Sequence, residues 1–301
     1  PYILSMGTEE TATRRLNLAQ SFNPMGSLLG MYVAMNFIQA KLSPMETDER
    51  ALLSGEEFEA LKQSDLSVLI GPYLIIGLVI AAMFLIILFT KMPKNGDQSK
   101  EINFGPTLKR IFGIARYREG VIAQFFYVGA QIMCWTFVIQ YGTRIFMAEG
   151  MDERSAEVLS QTYNIVAMVI FCCSRFICTF ILRYLNAGML LGILAVAACV
   201  FTCGVICFQD RTGMYCLVAV SACMSLMFPT IYGIALEGLG DDAKFGAAGL
   251  IMAILGGSVL PPMQASIIDM GTFAGMPAVN VSFVLPLICF VVITIYGYRS
   301  Y

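Results

Sequence analysis

Uncharged hydrogen-bonding side chains recur inside the long apolar stretches of this 301-residue chain. Asn17, Gln20 and Asn23 fall at i, i+3 and i+6, one face of a helix. A later stretch holds Gln124, Tyr127, Gln131, Trp135 and Gln140, with Tyr127, Gln131 and Trp135 stacked at intervals of four. Gln161, Tyr163 and Asn164 lie in the next stretch, and Tyr232 and Gln264 in others. An amide offers hydroxyls both donors and acceptors, and an aromatic ring covers the apolar face of a pyranose. Amides beside aromatics therefore predict a cavity for a neutral polyol. A cation would require carboxylates and a phosphate would require clustered arginines; the middles of these stretches hold neither. Taken singly, each amide reads equally as an interhelical hydrogen bond worth under about 1–2 kcal/mol. The candidate binding residues are Gln20, Asn23, Tyr127, Gln131, Trp135, Asn164, Phe228 and Gln264.

Catalysis has little to work with. The chain has no His, so no Ser or Cys nucleophile has an imidazole base to activate it. Gly238-Leu239-Gly240-Asp241 has the G-x-G-D pattern of an intramembrane aspartyl protease, but no second Asp faces it at membrane depth to share a proton. All ten cysteines sit in apolar stretches, which speaks against a disulfide framework. The Cys199, Cys203, Cys207 stripe reads as small packing residues. No enzyme activity, metal or cofactor is expected. The charge of -2 gives no basic surplus for nucleic acid.

The elements that must position the amides follow from composition. With 57% apolar and 13% charged residues, and a mean hydropathy of +0.73, the excess apolar surface must face lipid. Eight runs, roughly 15–40, 67–91, 120–146, 155–184, 187–208, 213–236, 245–270 and 277–298, exceed the length of about 18 residues that marks a span. Spans without alternation must be helices, because hydrocarbon offers the backbone no other partner. The fold class is therefore an all-α polytopic membrane protein with about eight transmembrane helices.

The connector 92–119 is basic, whereas 41–66 carries Glu46, Asp48, Glu49, Glu56, Glu57, Glu59 and Asp65. The positive-inside rule sets the first in the cytoplasm and the second outside, with about twelve of the 19 basic residues inside and both ends cytoplasmic. Arg175 lies toward the inner end of the fourth span, where it is expected to snorkel or to close a cytoplasmic gate. Residues 93–119 read as a linker with a short surface helix over 106–118. Residues 1–92 read as the remnant of one six-helix bundle and 120–301 as a complete second one. Four further spans are expected upstream of Pro1. The first and seventh spans carry Asn23-Pro24-Met25-Gly26 and Gly256-Gly257 with Pro261-Pro262, interruptions in matching positions. Such interruptions point to a transport site, and Pro24, Gly26, Gly256, Gly257 and Pro261 are the expected flexing residues.

On Arg15-Leu16-Asn17-Leu18-Ala19-Gln20-Ser21-Phe22-Asn23, Ala123-Gln124-Phe125-Phe126-Tyr127-Val128-Gly129-Ala130-Gln131 with Cys134-Trp135, Phe228-Pro229-Thr230-Ile231 and Ile254-Leu255-Gly256-Gly257, the chain resembles the fucose–galactose–glucose:proton symporters of the major facilitator superfamily. The resemblance runs the length of the chain. It implies the end of helix 4 through helix 12 of a twelve-helix carrier, in a bacterial inner membrane. It implies a small neutral sugar, with L-fucose the first expectation, and a monomer working by alternating access. It places Gln20 and Asn23 among the amides facing the sugar and Trp135 near the site. Phe228 stands where the fucose carrier of the family has Tyr, one hydroxyl fewer. The proton is the implied coupling ion, on an Asp and a Glu that would lie upstream of Pro1. Glucose, galactose or another solute, and a non-transporting sensor or scaffold, stay open at this point.

Overall fold

The computed structural model describes residues 11–33, 37, 41, 53–90, 104–273 and 275–301. The Pro1-Tyr2 start, much of the acidic connector (42–52) and part of the expected linker (91–103) lie outside the described residues. The helices are α1 (Ala12–Gln20), α2 (Asn23–Val33), α3 (Gly55–Phe89), α4 (Phe104–Gly113), α5 (Ala115–Ala148), α6 (Glu153–Ile181), α7 (Ala187–Cys207), α8 (Arg211–Met224), α9 (Met227–Leu236), α10 (Ala243–Met252), α11 (Gly256–Ile268), α12 (Ala278–Ser282) and α13 (Val284–Arg299). A two-residue hairpin, β1 (Thr272–Phe273) with β2 (Met276–Pro277), pairs Thr272 with Pro277.

Among the described residues seven helical segments are long and apolar enough to cross a membrane. They answer to the second through eighth predicted spans. The first predicted span is instead cut at Ser21 and Phe22, between α1 and α2. Two further spans are cut inside: at Ser225 and Leu226 between α8 and α9, and by a 3₁₀ turn at Ala253–Leu255 between α10 and α11. The second cut precedes Gly256; Pro261 and Pro262 lie within α11 and do not end it.

The chain divides into two compact units, Met25–Gln98 and the remainder, Pro1–Pro24 with Ser99–Tyr301. In the first, α3 begins twelve residues before the predicted span. Ser54 accepts from the Glu57 N–H while the Glu57 carboxylate accepts from the Ser54 N–H, a reciprocal cap that starts a helix. Glu56 and Glu57, expected in a connector, thus sit in its first turn, where the helix dipole favours acid.

The second unit is built around α5, which packs on α6, α9, α11 and α13. α1 packs here too, against α6 and α9. Within lipid, apolar burial gives helices no net drive to associate, so close packing must supply it. A Cβ on Gly256 would lie 2.0 Å from the Phe125 carbonyl oxygen, and one on Gly129 would lie 2.2 Å from Leu260 Cδ1. Glycine at both points lets α5 and α11 touch. Tyr127, Met133, Tyr141, Phe146, Met224 and Phe290 fill the core without exposure.

Ion pairs hold the ends of the helices. At the end where α5 begins, Arg110 grips Asp242 with two bonds of 2.6 and 2.7 Å, Arg116 meets Glu237 at 3.0 Å and Arg299 meets Glu119 at 2.9 Å. At the opposite end Arg211 grips Glu149 at 2.7–3.0 Å. The expected surface helix is α4, ending at Gly113, and α5 starts at Ala115 within the stretch read as linker.

Candidate functional site

The row Tyr127, Gln131, Trp135 runs along α5, but its members do different things. Tyr127 is fully buried and its hydroxyl donates to the Met224 carbonyl at 3.0 Å. That bond closes α5 on the end of α8. The half-buried Phe228 ring lies 6.2 Å from it and stacks on Tyr232 at 6.5 Å. Gln131 is half-buried, with no hydrogen bond from its amide to another described residue. Trp135 is half-buried; its indole N–H donates to Ser221 Oγ at 3.4 Å and its ring meets Phe171 edge-on at 5.0 Å. Gln131 and Trp135 thus keep surface that a ligand can use, and Tyr127 is committed to packing.

This half-open edge of α5 continues through Ile139 into a cleft of about 520 Å³, lined by Ile139, Gln140, Thr143, Arg144, Glu153 and Glu157 among others. α5 and α6 run antiparallel, with Gly142 against Ser160. Asn164 lies one helical turn beyond Ser160 on α6. It is half-buried and its Oδ1 has no partner. Gln264 on α11 is fully buried; its Nε2 donates to Ser282 Oγ at 3.0 Å, and its Oε1 has no partner.

The face predicted for Asn17, Gln20 and Asn23 ends at the helix cut. Asn17 is fully buried and donates to Thr13 O and to Thr230 Oγ1, at 2.9 and 3.3 Å. Gln20 is half-buried at the end of α1, and Asn23, exposed, begins α2. Pro24 is half-buried and Gly26 exposed with open space around it. At Gly256 the decisive feature is contact with Phe125, and Gly257 is similarly confined by Val128 and Ile132 at 3.0 Å. Both glycines serve close approach.

Two residues carry more than their sequence suggested. Gln124, one turn before Tyr127, is fully buried with neither end of its amide bonded to protein; its place in the amide-rich stretch was the available signal. Arg175 does not snorkel. It is 3% exposed; its Nε donates to the Ser225 carbonyl, its Nη1 donates to the Gln20 carbonyl at 3.1 Å, and its guanidinium lies 4.7 Å over the Phe171 ring. The arrangement offers unpaired amide atoms, a half-buried indole and a buried fixed cation. Groups of this kind can bind and orient a hydroxylated molecule; none is a nucleophile with a base.

The chain is 48% identical, over 100% of its length and 70% of the relative's, to the L-fucose-proton symporter of Haemophilus influenzae. It belongs to the fucose–galactose–glucose:proton symporter family of the major facilitator superfamily. The L-fucose-proton symporter of Escherichia coli is 30% identical over 100% of this chain and 67% of that relative. A glucose/galactose transporter of Brucella abortus is 28% identical over 99% and 66%. The crystal structure of the superfamily transporter FucP in the outward conformation superposes with a TM-score of 0.88 at 29% identity, covering 100% of this chain and 71% of that one. No protein-family profile matches. As a member of this symporter family the chain is a multi-pass membrane protein whose relatives are transporters, not enzymes.

Proposed function

We propose that this protein imports L-fucose with protons across a bacterial inner membrane by alternating access, as a monomer with both ends of the chain cytoplasmic. The single observation that carries the substrate is the 48% identity to an L-fucose-proton symporter along the whole chain. Gln20, Asn23, Gln131, Trp135, Asn164 and Gln264 supply the sugar's hydrogen bonds and stacking surface, with Tyr127 and Phe228 shaping the wall behind them. Pro24, Gly26, Gly256, Gly257 and Pro261 mark the interrupted helices about which the halves rock. The coupling ion is the proton, and no Asp or Glu of residues 1–301 falls at the middle of a span.

Counterflow into proteoliposomes loaded with L-fucose, D-galactose or D-glucose tests this. Exchange of labelled L-fucose in preference to the hexoses is expected, and, in a separate uptake into unloaded vesicles, alkalinisation of the external medium on sugar entry. Preferred exchange of glucose or galactose would reassign the sugar, in keeping with the Brucella relative and with Phe228. No exchange of any sugar would overturn the transport reading and favour a sensor or scaffold.

A further inference from the structure

The two carbonyls that Arg175 holds are orphans for a reason written in the sequence. In a helix the N–H of residue i+4 takes the carbonyl of residue i, and proline has no N–H. Pro24 stands four residues after Gln20, and Pro229 four residues after Ser225. Each carbonyl therefore loses its helical donor at a cut, Gln20 at the end of α1 and Ser225 at the end of α8. The last carbonyls of a helix also carry its partial negative charge. Arg175, on α6, spans the two cuts with one planar side chain: Nε to Ser225, Nη1 to Gln20. Among the described residues no carboxylate pairs with it. A buried cation is costly unless it is bonded, and here main-chain oxygens and the Phe171 ring do the bonding.

We propose that Arg175 is a positioning residue for sugar binding. By holding the carbonyl that Pro24 orphans, it fixes the last turn of α1 and so the place of the Gln20 amide. It also registers that turn against the α8–α9 cut, three residues before Phe228. The proposal rests on reading Gln20 as a sugar-binding amide. The fork geometry is what matters: an ammonium at the same place is a single point of charge and does not serve two fixed carbonyls in the same plane.

The test is a double-mutant cycle on the reconstituted protein, read as the L-fucose dissociation constant. Arg175→Met is expected to weaken binding about tenfold, the scale of one lost charge-assisted hydrogen bond, and Arg175→Lys to recover only part of it. Adding Pro24→Ala restores an N–H to the Gln20 carbonyl, so Arg175→Met in that background should cost no more than about threefold relative to Pro24→Ala alone. Adding Pro229→Ala restores the donor at the other cut and should not rescue binding. A general role in folding or in net charge would not be mended by one N–H on another helix. Undiminished binding in Arg175→Met, or the same loss with and without Pro24→Ala, overturns the proposal. If Arg175→Met does not fold, Arg175→Lys takes its place in the cycle. If the unmutated protein binds no sugar, the function above is wrong, and the cycle is read on the thermal midpoint instead. There, costs of Arg175→Met and Pro24→Ala that are non-additive uphold the Arg175–Gln20 link, and additive costs remove it.

Discussion

Gln131 and Trp135 are the two residues of the α5 row with surface to spare, and they make separable predictions. The Gln131 amide bonds to no other described residue, so removing it leaves no orphan behind in the protein. Gln131→Ala should therefore weaken sugar binding by roughly tenfold, about 1–1.5 kcal/mol for one hydrogen bond, with the thermal midpoint unchanged. Isotherms that match the unmutated protein would take Gln131 out of the site. Trp135 is the only tryptophan, so the intrinsic fluorescence of the protein is its own. A sugar against this half-buried ring should give a saturable change with the same midpoint as calorimetric binding. A signal flat to saturation would place the sugar elsewhere. Tyr127→Phe is the contrasting case. It leaves the buried Met224 carbonyl without its donor, and its cost belongs in stability, about 1–3 kcal/mol.

At the scale of elements, contact between α5 and α11 rests on glycine. Gly256→Ala would drive a methyl to 2.0 Å from the Phe125 carbonyl oxygen, against backbone that has nowhere to retreat, and should destabilise by about 1–3 kcal/mol. Gly26→Ala meets nothing within 4 Å and should be neutral or slightly stabilising, since alanine favours helix. A melt that ranks them the other way would refute the packing account of Gly256. The same contrast shows what could be read from sequence. Length and hydropathy locate a span because lipid forces every apolar run of that length into a helix; seven of eight were visible in that way. Helix ends were not, since the capped start of α3 at Ser54 is local chemistry that hydropathy averages away. The cut at Ser225 was likewise missed, whereas the one at Ser21 and Phe22 lies directly before the interruption read at Asn23-Pro24-Met25-Gly26. Their signal is a proline, three residues after Ser21 and four after Ser225, and its meaning appears only once Arg175 is seen to take the freed carbonyls. The amides were legible as polar groups in lipid, but which of them are unpaired depends on partners more than a hundred residues away, as with Asn17 and Thr230.

For the whole molecule, alternating access requires that residues 104–301 move as one body, and the ion pairs at both helix ends serve that requirement. Each joins elements within the same unit, so each should matter to cohesion and not to the transport step. The Arg211–Glu149 pair gives the sharpest test. Hydrogen bonds from Arg211 hold the Glu149 carboxyl below its ordinary value of 4.5. A carboxylate with a lowered folded-state pKa contributes stability that is present above the unfolded value and is lost as pH falls through the folded one. Glu149→Gln should therefore lower the thermal midpoint at pH 7. The gap to the unmutated protein should begin to close below about pH 4.5 and vanish once the carboxyl is protonated in the folded state as well. Added salt at pH 7 should narrow the same gap, because both side chains are reached by solvent. Counterflow at pH 7, measured below the melting range, should be the same in Glu149→Gln and in the unmutated protein. A slowed exchange with an unchanged midpoint would mean that this end of the bundle flexes during transport, and that the second unit does not move as a single body.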